Sequence, residues 1–170
     1  MLVIQNLTPS DIDDVLAVQA LAYSHFDLHE SADFFLNRIA VAPQSCWLAR
    51  SNADVLGYLI SYPWHDGLPP TLDVALASVP VPATHWFLHD CAITPGAMGQ
   101  GIGRALVEQG VAHAQSTGFD YASLVSLHSA APYWAGMGYE TVDDLPGLAE
   151  KLAGYGPGAQ YMRRRLRVRG

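Results

Sequence analysis

Residues 89–106, HDCAITPGAMGQGIGRAL, decide the fold. They continue an apolar run that begins at Trp86, so a strand is expected to reach Ile93 and to stop at Pro95. Gly96, Gly99, Gly101 and Gly103 then punctuate a turn, and Ile102, Ala105, Leu106 and Val107 open a helix. Glycine lacks a Cβ, so its backbone adopts positive φ readily and lets a ligand come close. The first N–H groups of a helix have no partner within it, and the helix dipole adds partial positive charge there. Such a turn suits a phosphate.

Two nucleotide-binding patterns fit this stretch poorly. A P-loop requires Lys followed by Ser or Thr after its glycines, and neither pair is present. A dinucleotide fingerprint requires GxGxxG, whereas Gly99, Gly101 and Gly103 give GxGxG. Asp120 lies near the distance of the usual ribose-binding acid, but no second mononucleotide half accompanies it.

The stretch resembles motif A of the GNAT-type N-acetyltransferase superfamily, an apolar strand, a Pro, then [RQ]-x-x-G-x-[GA] opening a helix. Here it reads Met98-Gly99-Gln100-Gly101-Ile102-Gly103, with Met98 where the family carries Arg or Gln. A second stretch, residues 131–139, APYWAGMGY, resembles motif B, A-x-x-[FY]-Y-x-x-x-G-F, at the family's usual spacing. Tyr139 replaces the Phe, and Trp134 stands where the second aromatic is expected.

The resemblance implies an acetyl-CoA co-substrate and no metal. Its pyrophosphate would be held by the backbone between Met98 and Arg104, that is Met98, Gly99, Gln100, Gly101, Ile102, Gly103 and Arg104. Ile93, Thr94 and Pro95 would run beside the pantetheine, with the Ile93 N–H polarising the thioester carbonyl and Trp134 bordering the cofactor. The fold it implies is a single α/β domain over residues 1–170. Its sheet would be mixed, mostly antiparallel and flanked by helices, with a V-shaped splay at the central strands.

The rest of the chain reads consistently. Residues 2–4 suggest a first strand, and Thr8 or Ser10 caps a helix with Pro9 near its start and Asp11, Asp13 and Asp14 in its first turn. A second helix starts near Ser31 and ends before Pro43. Residues 46–49 and 55–62 form a hairpin across Asn52-Ala53-Asp54. Residues 65–84 carry four prolines and exceed a usual connection, which points to a functional flap or a plain insertion. After the helix that ends near Ser116 come a strand at 121–126, a short helix at 132–137, a strand from Gly138-Tyr139, a loop over 143–157 and a terminal strand at 160–168.

Composition limits the classes available. The chain has 170 residues, 50% hydrophobic, with mean hydropathy +0.13, enough for a sizeable core. The uncharged run at 74–88 is interrupted by Pro80 and Pro82, and the N-terminus lacks the pattern of a secretion signal, so the expected location is cytoplasmic, away from membranes. Cys46 and Cys91 sit in apolar runs and are expected as small packed residues; an acyl relay through Cys91 is the alternative. Arg163, Arg164, Arg165, Arg167 and Arg169 leave only four basic residues against all 16 acids in the rest of the chain. Such a body repels nucleic acid and attracts cations. The arginines are expected on a terminal strand, some near the cofactor phosphates. A homodimer is compatible with these features.

Acetyl transfer to an amine needs proton handling, because an amine of pKa ~10 is neutral in only about one molecule per thousand at pH 7. His89 is the first candidate base, placed by strand alternation on one face with Phe87 and Cys91. Asp90 points to the other face unless a bulge reorients it. Tyr133 is the hydroxyl nearest the acid's expected place, with a packing role as the other reading. The other histidines, His128 among them, show no metal-binding spacing beyond His25-x3-His29. The reading is an acetyl-CoA-dependent N-acetyltransferase acting by direct transfer on a cationic amine. Its acceptor pocket would lie between residues 23–30, the flap after Pro63 and the His89 face. The alternative is a catalytically silent acyl-CoA-binding regulatory or interaction module.

Overall fold

The computed structural model describes residues 1–26, 29–127 and 129–166. Residues 27–28, 128 and 167–170 lie outside the described part, and with them the expectations for His128, for Arg167 and Arg169, and for the middle of segment 23–30.

The elements in order are β1 (Leu2–Asn6), α1 (Ile12–Ala22), α2 (Ala32–Val41), β2 (Cys46–Ser51), β3 (Asp54–Trp64), β4 (His85–Ile93), α3 (Ile102–Thr117), β5 (Tyr121–Ser126), α4 (Ala131–Gly136), β6 (Glu140–Thr141), α5 (Leu148–Ala153) and β7 (Gln160–Arg165). The strands form one sheet in the order β1-β2-β3-β4-β5-β7-β6. Only β4 and β5 run parallel; every other neighbouring pair is antiparallel. The result is a mixed, mostly antiparallel α/β sheet with helices on both faces.

Local sequence explains most boundaries. The Thr8 N–H donates to Asp11 Oδ2 at 2.9 Å in a single turn begun by Pro9, and α1 follows with Asp13 and Asp14 at its positive end. Ser31 caps α2 by accepting the Phe34 N–H at 3.1 Å. The β2–β3 hairpin turns at Asn52, whose φ of 56° a short polar side chain tolerates. The expected loop over 143–157 contains α5. Its six residues span under two turns, too short for an apolar period to register.

Two cores sandwich the sheet. One packs α1, α2 and α5 around Phe34, Phe35, Tyr58, Tyr62 and Phe87. The other packs α3 and α4 around Trp47, Trp86, Leu88, Leu106 and Leu124. In the second core Gly110 lets α3 approach the sheet, since a Cβ there would lie 2.4 Å from Trp86 Cζ2. The Trp86 ring is fixed by its own N–H, which donates to Ser61 Oγ at 2.6 Å.

Two irregularities in β4 shape everything that follows. Its register with β3 shifts between Ile60↔Asp90 and Ser61↔Leu88, which leaves His89 as an extra, bulged residue. Its parallel pairing with β5 stops at Leu88↔Leu124, although both strands continue. Beyond that point the two strands part, which opens the splay.

Candidate active site

The bulge sets which side chains share a face. Before it, Phe87 packs in the α1/α2 core; after it, Ala92 does, while Cys91 and Ile93 pack on the α3 side. His89 and Asp90 therefore both point toward α1 and α2. Unbroken alternation predicted His89 with Cys91; the inserted residue reverses that, and Cys91 faces away.

Asp90 is held by two phenols. Its Oδ1 accepts the Tyr23 hydroxyl and its Oδ2 the Tyr58 hydroxyl, each at 2.5 Å. Burial raises its pKa above the ordinary carboxylate value, and the two hydroxyls pull against that rise. Burial beside this carboxylate also raises both tyrosine pKa values, so each phenol is a donor at neutral pH.

His89 is engaged at both ring nitrogens. Nδ1 lies 3.1 Å from the Tyr62 hydroxyl and Nε2 2.7 Å from Glu30 Oε1, with the side chain only 2% exposed. The ring stacks at 4.7 Å from Phe34 and 5.9 Å from Tyr62. Glu30 is fixed in turn by buried Gln19. The Gln19 amide donates to Glu30 O at 3.0 Å and accepts the Glu30 N–H at 2.8 Å.

Three cavities run end to end along these residues. A groove of about 360 Å³ is lined by Cys91, Ile93, Met98, Gly99, Gly101, Gly103 and neighbours from α3 and α4. It meets a cavity of about 320 Å³ in the splay, sharing Cys91 and Trp134. That cavity in turn shares Tyr23, His89, Asp90, Val125 and Leu127 with a narrow one of about 50 Å³ bordered by Gln19, Glu30 and Leu72. Described residues of segment 23–30, Leu72 of the 65–84 segment and the β4 face thus line one cavity. The flap itself is pinned: Asn37 pairs with Leu76 in both directions, at 2.9 and 3.0 Å, and the Tyr155 hydroxyl donates to Pro70 O.

The glycine turn fits a phosphate-bearing ligand. Gly99 and Gly101 have φ of 82° and 78°, and a Cβ built on either would meet nothing within 4 Å, so open space lies over the turn. The Ala105 N–H is bonded to Gly101 O at 3.0 Å, and the N–H groups of Ile102, Gly103 and Arg104 precede it at the helix start. The Met98 N–H is committed to Pro95 O at 3.3 Å, so Met98 contributes a groove wall and an exposed side chain, 66% accessible. Thr94, Pro95 and Gln100 border the turn and are not among the lining residues of the groove.

The Thr94 N–H donates to Leu56 O at 2.9 Å. Successive residues of an antiparallel strand turn their N–H groups to opposite edges, so those of Ile93 and Cys91 face the open side of β4. Burial pushes the Cys91 thiol up to about 12, which makes it a poor nucleophile.

Trp134 lines both the groove and the splay cavity, packed at 5.7 Å on Tyr139. Tyr133 is half exposed and lines the groove and an outer cavity of about 490 Å³, away from the splay. Arg164 of β7 joins Arg104 at that outer cavity, while Arg163 lies over the Tyr121 ring at 4.8 Å. Sequence reasoning missed Glu30, Tyr23 and Tyr58 as partners of the central strand. Contacts 59, 67 and 32 residues apart leave no local pattern to find.

The fold thus combines an open sheet, a splayed parallel pair and a glycine turn at a helix start. The chain belongs to the acetyltransferase (GNAT) family, whose model matches residues 12–139. No curated protein matches it. Among solved structures it resembles the loading GNATL domain of CurA from Lyngbya majuscula, at 16% identity over 98% of each chain with TM-score 0.80. It also resembles the GphF GNAT-like decarboxylase in complex with isobutyryl-CoA, at 16% identity over 97% of this chain and 100% of that one, TM-score 0.79. The ribosomal-protein-S18-alanine N-acetyltransferase from Escherichia coli is similar at 16% identity over 100% and 97%, TM-score 0.69. No helix among the described residues is long and apolar enough to cross a membrane.

Proposed function

We propose that the protein transfers an acetyl group from acetyl-CoA directly to a primary amine of a cationic acceptor. The observation that carries this reading is the place of Asp90. A partly buried carboxylate of raised pKa lines both the splay cavity and the narrow one. The glycine turn would hold the pyrophosphate of the thioester substrate, and the Ile93 N–H would polarise its carbonyl.

Proton flow follows from the hydrogen bonds. The acceptor ammonium loses one proton to solvent and attacks as the free amine. Asp90 takes the second proton as the C–N bond forms and the C–S bond breaks. The Tyr23 hydroxyl, bonded to Asp90 Oδ1, passes a proton to the departing sulfur and regains one from Asp90. His89, with both nitrogens occupied, holds Glu30 in place, and Tyr133 and Trp134 pack along the cofactor.

The charge of the pocket supports amine transfer over decarboxylation, the activity named for one similar structure. A carboxyacyl substrate would call for a cation, yet no Lys or Arg is among the described residues lining the splay and narrow cavities, where Asp90 and Glu30 stand. The test is thiol release from acetyl-CoA across a panel of amines, with malonyl-CoA as comparator. Amine-dependent release above the hydrolysis blank is expected. Its absence, with CoA still bound, would leave the silent CoA-binding module.

A further inference from the structure

We infer that Glu30 is the recognition residue for a second cationic nitrogen on the acceptor, and that the acceptor is therefore a short linear diamine. The inference rests on the amine-transfer reading above for the identity of the reacting end. Its own footing is Glu30.

The Glu30 side chain is only 10% exposed, and its Oε1 is taken by His89. Its Oε2 is buried and has no hydrogen-bond partner. An acceptor atom left so inside a protein is costly, and more so when it carries charge. Among the described residues the ion-pair partner of Glu30 is His89 alone. The guanidinium of Arg38 forms no ion pair with Glu30 among the described residues: it lies 4.4 Å over the Phe34 ring and 4.7 Å over the Tyr62 ring and donates through Nη1 to Asn37 Oδ1, while its Nε and Nη2 are buried without a hydrogen-bond partner.

The site is built rather than incidental. Gln19 clamps the Glu30 backbone in both directions, the His89 ring fixes one carboxylate oxygen, and the other oxygen is buried without a partner in a residue that borders the narrow cavity. The cavity that Glu30 borders has walls of Phe26, Leu72, Val125, Leu127 and Tyr155, suited to methylenes. At about 50 Å³ it admits the end of an alkylammonium chain and excludes a ring such as an amino sugar. Asp90 lines the same cavity and the splay cavity beside it, so one nitrogen would sit at the base while the other pairs with Glu30.

The test compares 1,4-diaminobutane with butylamine, by calorimetry on the full chain saturated with CoA and by steady-state transfer from acetyl-CoA. The wild-type protein should bind the diamine on the order of tenfold or more tightly than the monoamine. Glu30→Gln keeps an acceptor oxygen for His89 and removes the charge, so it should erase that preference while leaving CoA affinity in place and the thermal midpoint no lower. Equal affinity of wild-type protein for both amines overturns the inference whatever the variant does. A preference that survives Glu30→Gln overturns it too. Charge-dependent diamine binding without any acetyl transfer would uphold Glu30 as a cation site while removing the transferase reading.

Discussion

The Tyr23 hydroxyl donates to Asp90 Oδ1 at 2.5 Å, joining the end of α1 to the bulged strand across 67 residues of sequence. This contact makes the centre of the sheet a hydrogen-bonded unit, with Tyr58 on the other carboxylate oxygen. Its consequences can be measured.

Asp90→Asn keeps the shape and removes the proton acceptor. Transfer should fall about 10²–10⁴-fold, the usual range for a positioned acid–base group, with CoA affinity unchanged. The wild-type rate should decline as pH falls through the raised pKa of Asp90, above the ordinary carboxylate range, and that limb should vanish in the variant. An identical pH profile in both proteins would remove Asp90 from the reaction.

The same ionisation carries a stability prediction. A carboxylate whose folded-state pKa is raised binds its proton more tightly when folded, so it destabilises the fold once ionised. For Asp90 this cost is absent below the unfolded value and complete above the folded one. Asp90→Asn should therefore gain stability relative to wild type as pH rises through that window, read from urea midpoints at acidic and neutral pH.

Tyr23→Phe and Tyr133→Phe separate the two hydroxyls. Loss of the Asp90 contact predicts a rate decrease on the order of tenfold or more for Tyr23→Phe. Tyr133→Phe should act mainly on the KM for acetyl-CoA, since Tyr133 lines the groove and outer cavity. The reverse pattern would return the acid role to Tyr133.

Gly101→Val places a branched side chain at a φ of 78°, a conformation costing roughly 1–2 kcal/mol. It also fills the open space over the turn. CoA affinity should drop by about tenfold or more in calorimetry, with a smaller loss of thermal stability.

Gly110→Ala tests the second core. The added Cβ would lie 2.4 and 2.7 Å from Trp86 ring atoms that a hydrogen bond to Ser61 holds still. Overpacking of this kind costs about 1–3 kcal/mol, visible as a lower urea midpoint at unchanged slope.

Much of the fold was legible because its signals are local. The Ser31 cap, the Asn52 turn, the glycine turn and the strand at Tyr121–Ser126 each announce themselves within a few residues. The β4 face was not legible, because a bulge is defined by its partner strand. One extra residue at His89 carries Asp90 to the face of Tyr23 and Tyr58 and sends Cys91 the other way. Glu30 was legible only as part of the pocket-walling segment 23–30, and its pairing was not, for a related reason. Its place depends on Gln19 and His89, neither near it in sequence.

The parting of β4 and β5 has a consequence for how this scaffold varies. The N–H groups of Cys91 and Ile93 border the gap as bare main chain, and main chain is the same whatever residue carries it. A binding wall made this way is indifferent to most substitutions along it. The same fold is thus compatible with very different sequences, as the 16% identity to the CurA domain over 98% of each chain shows.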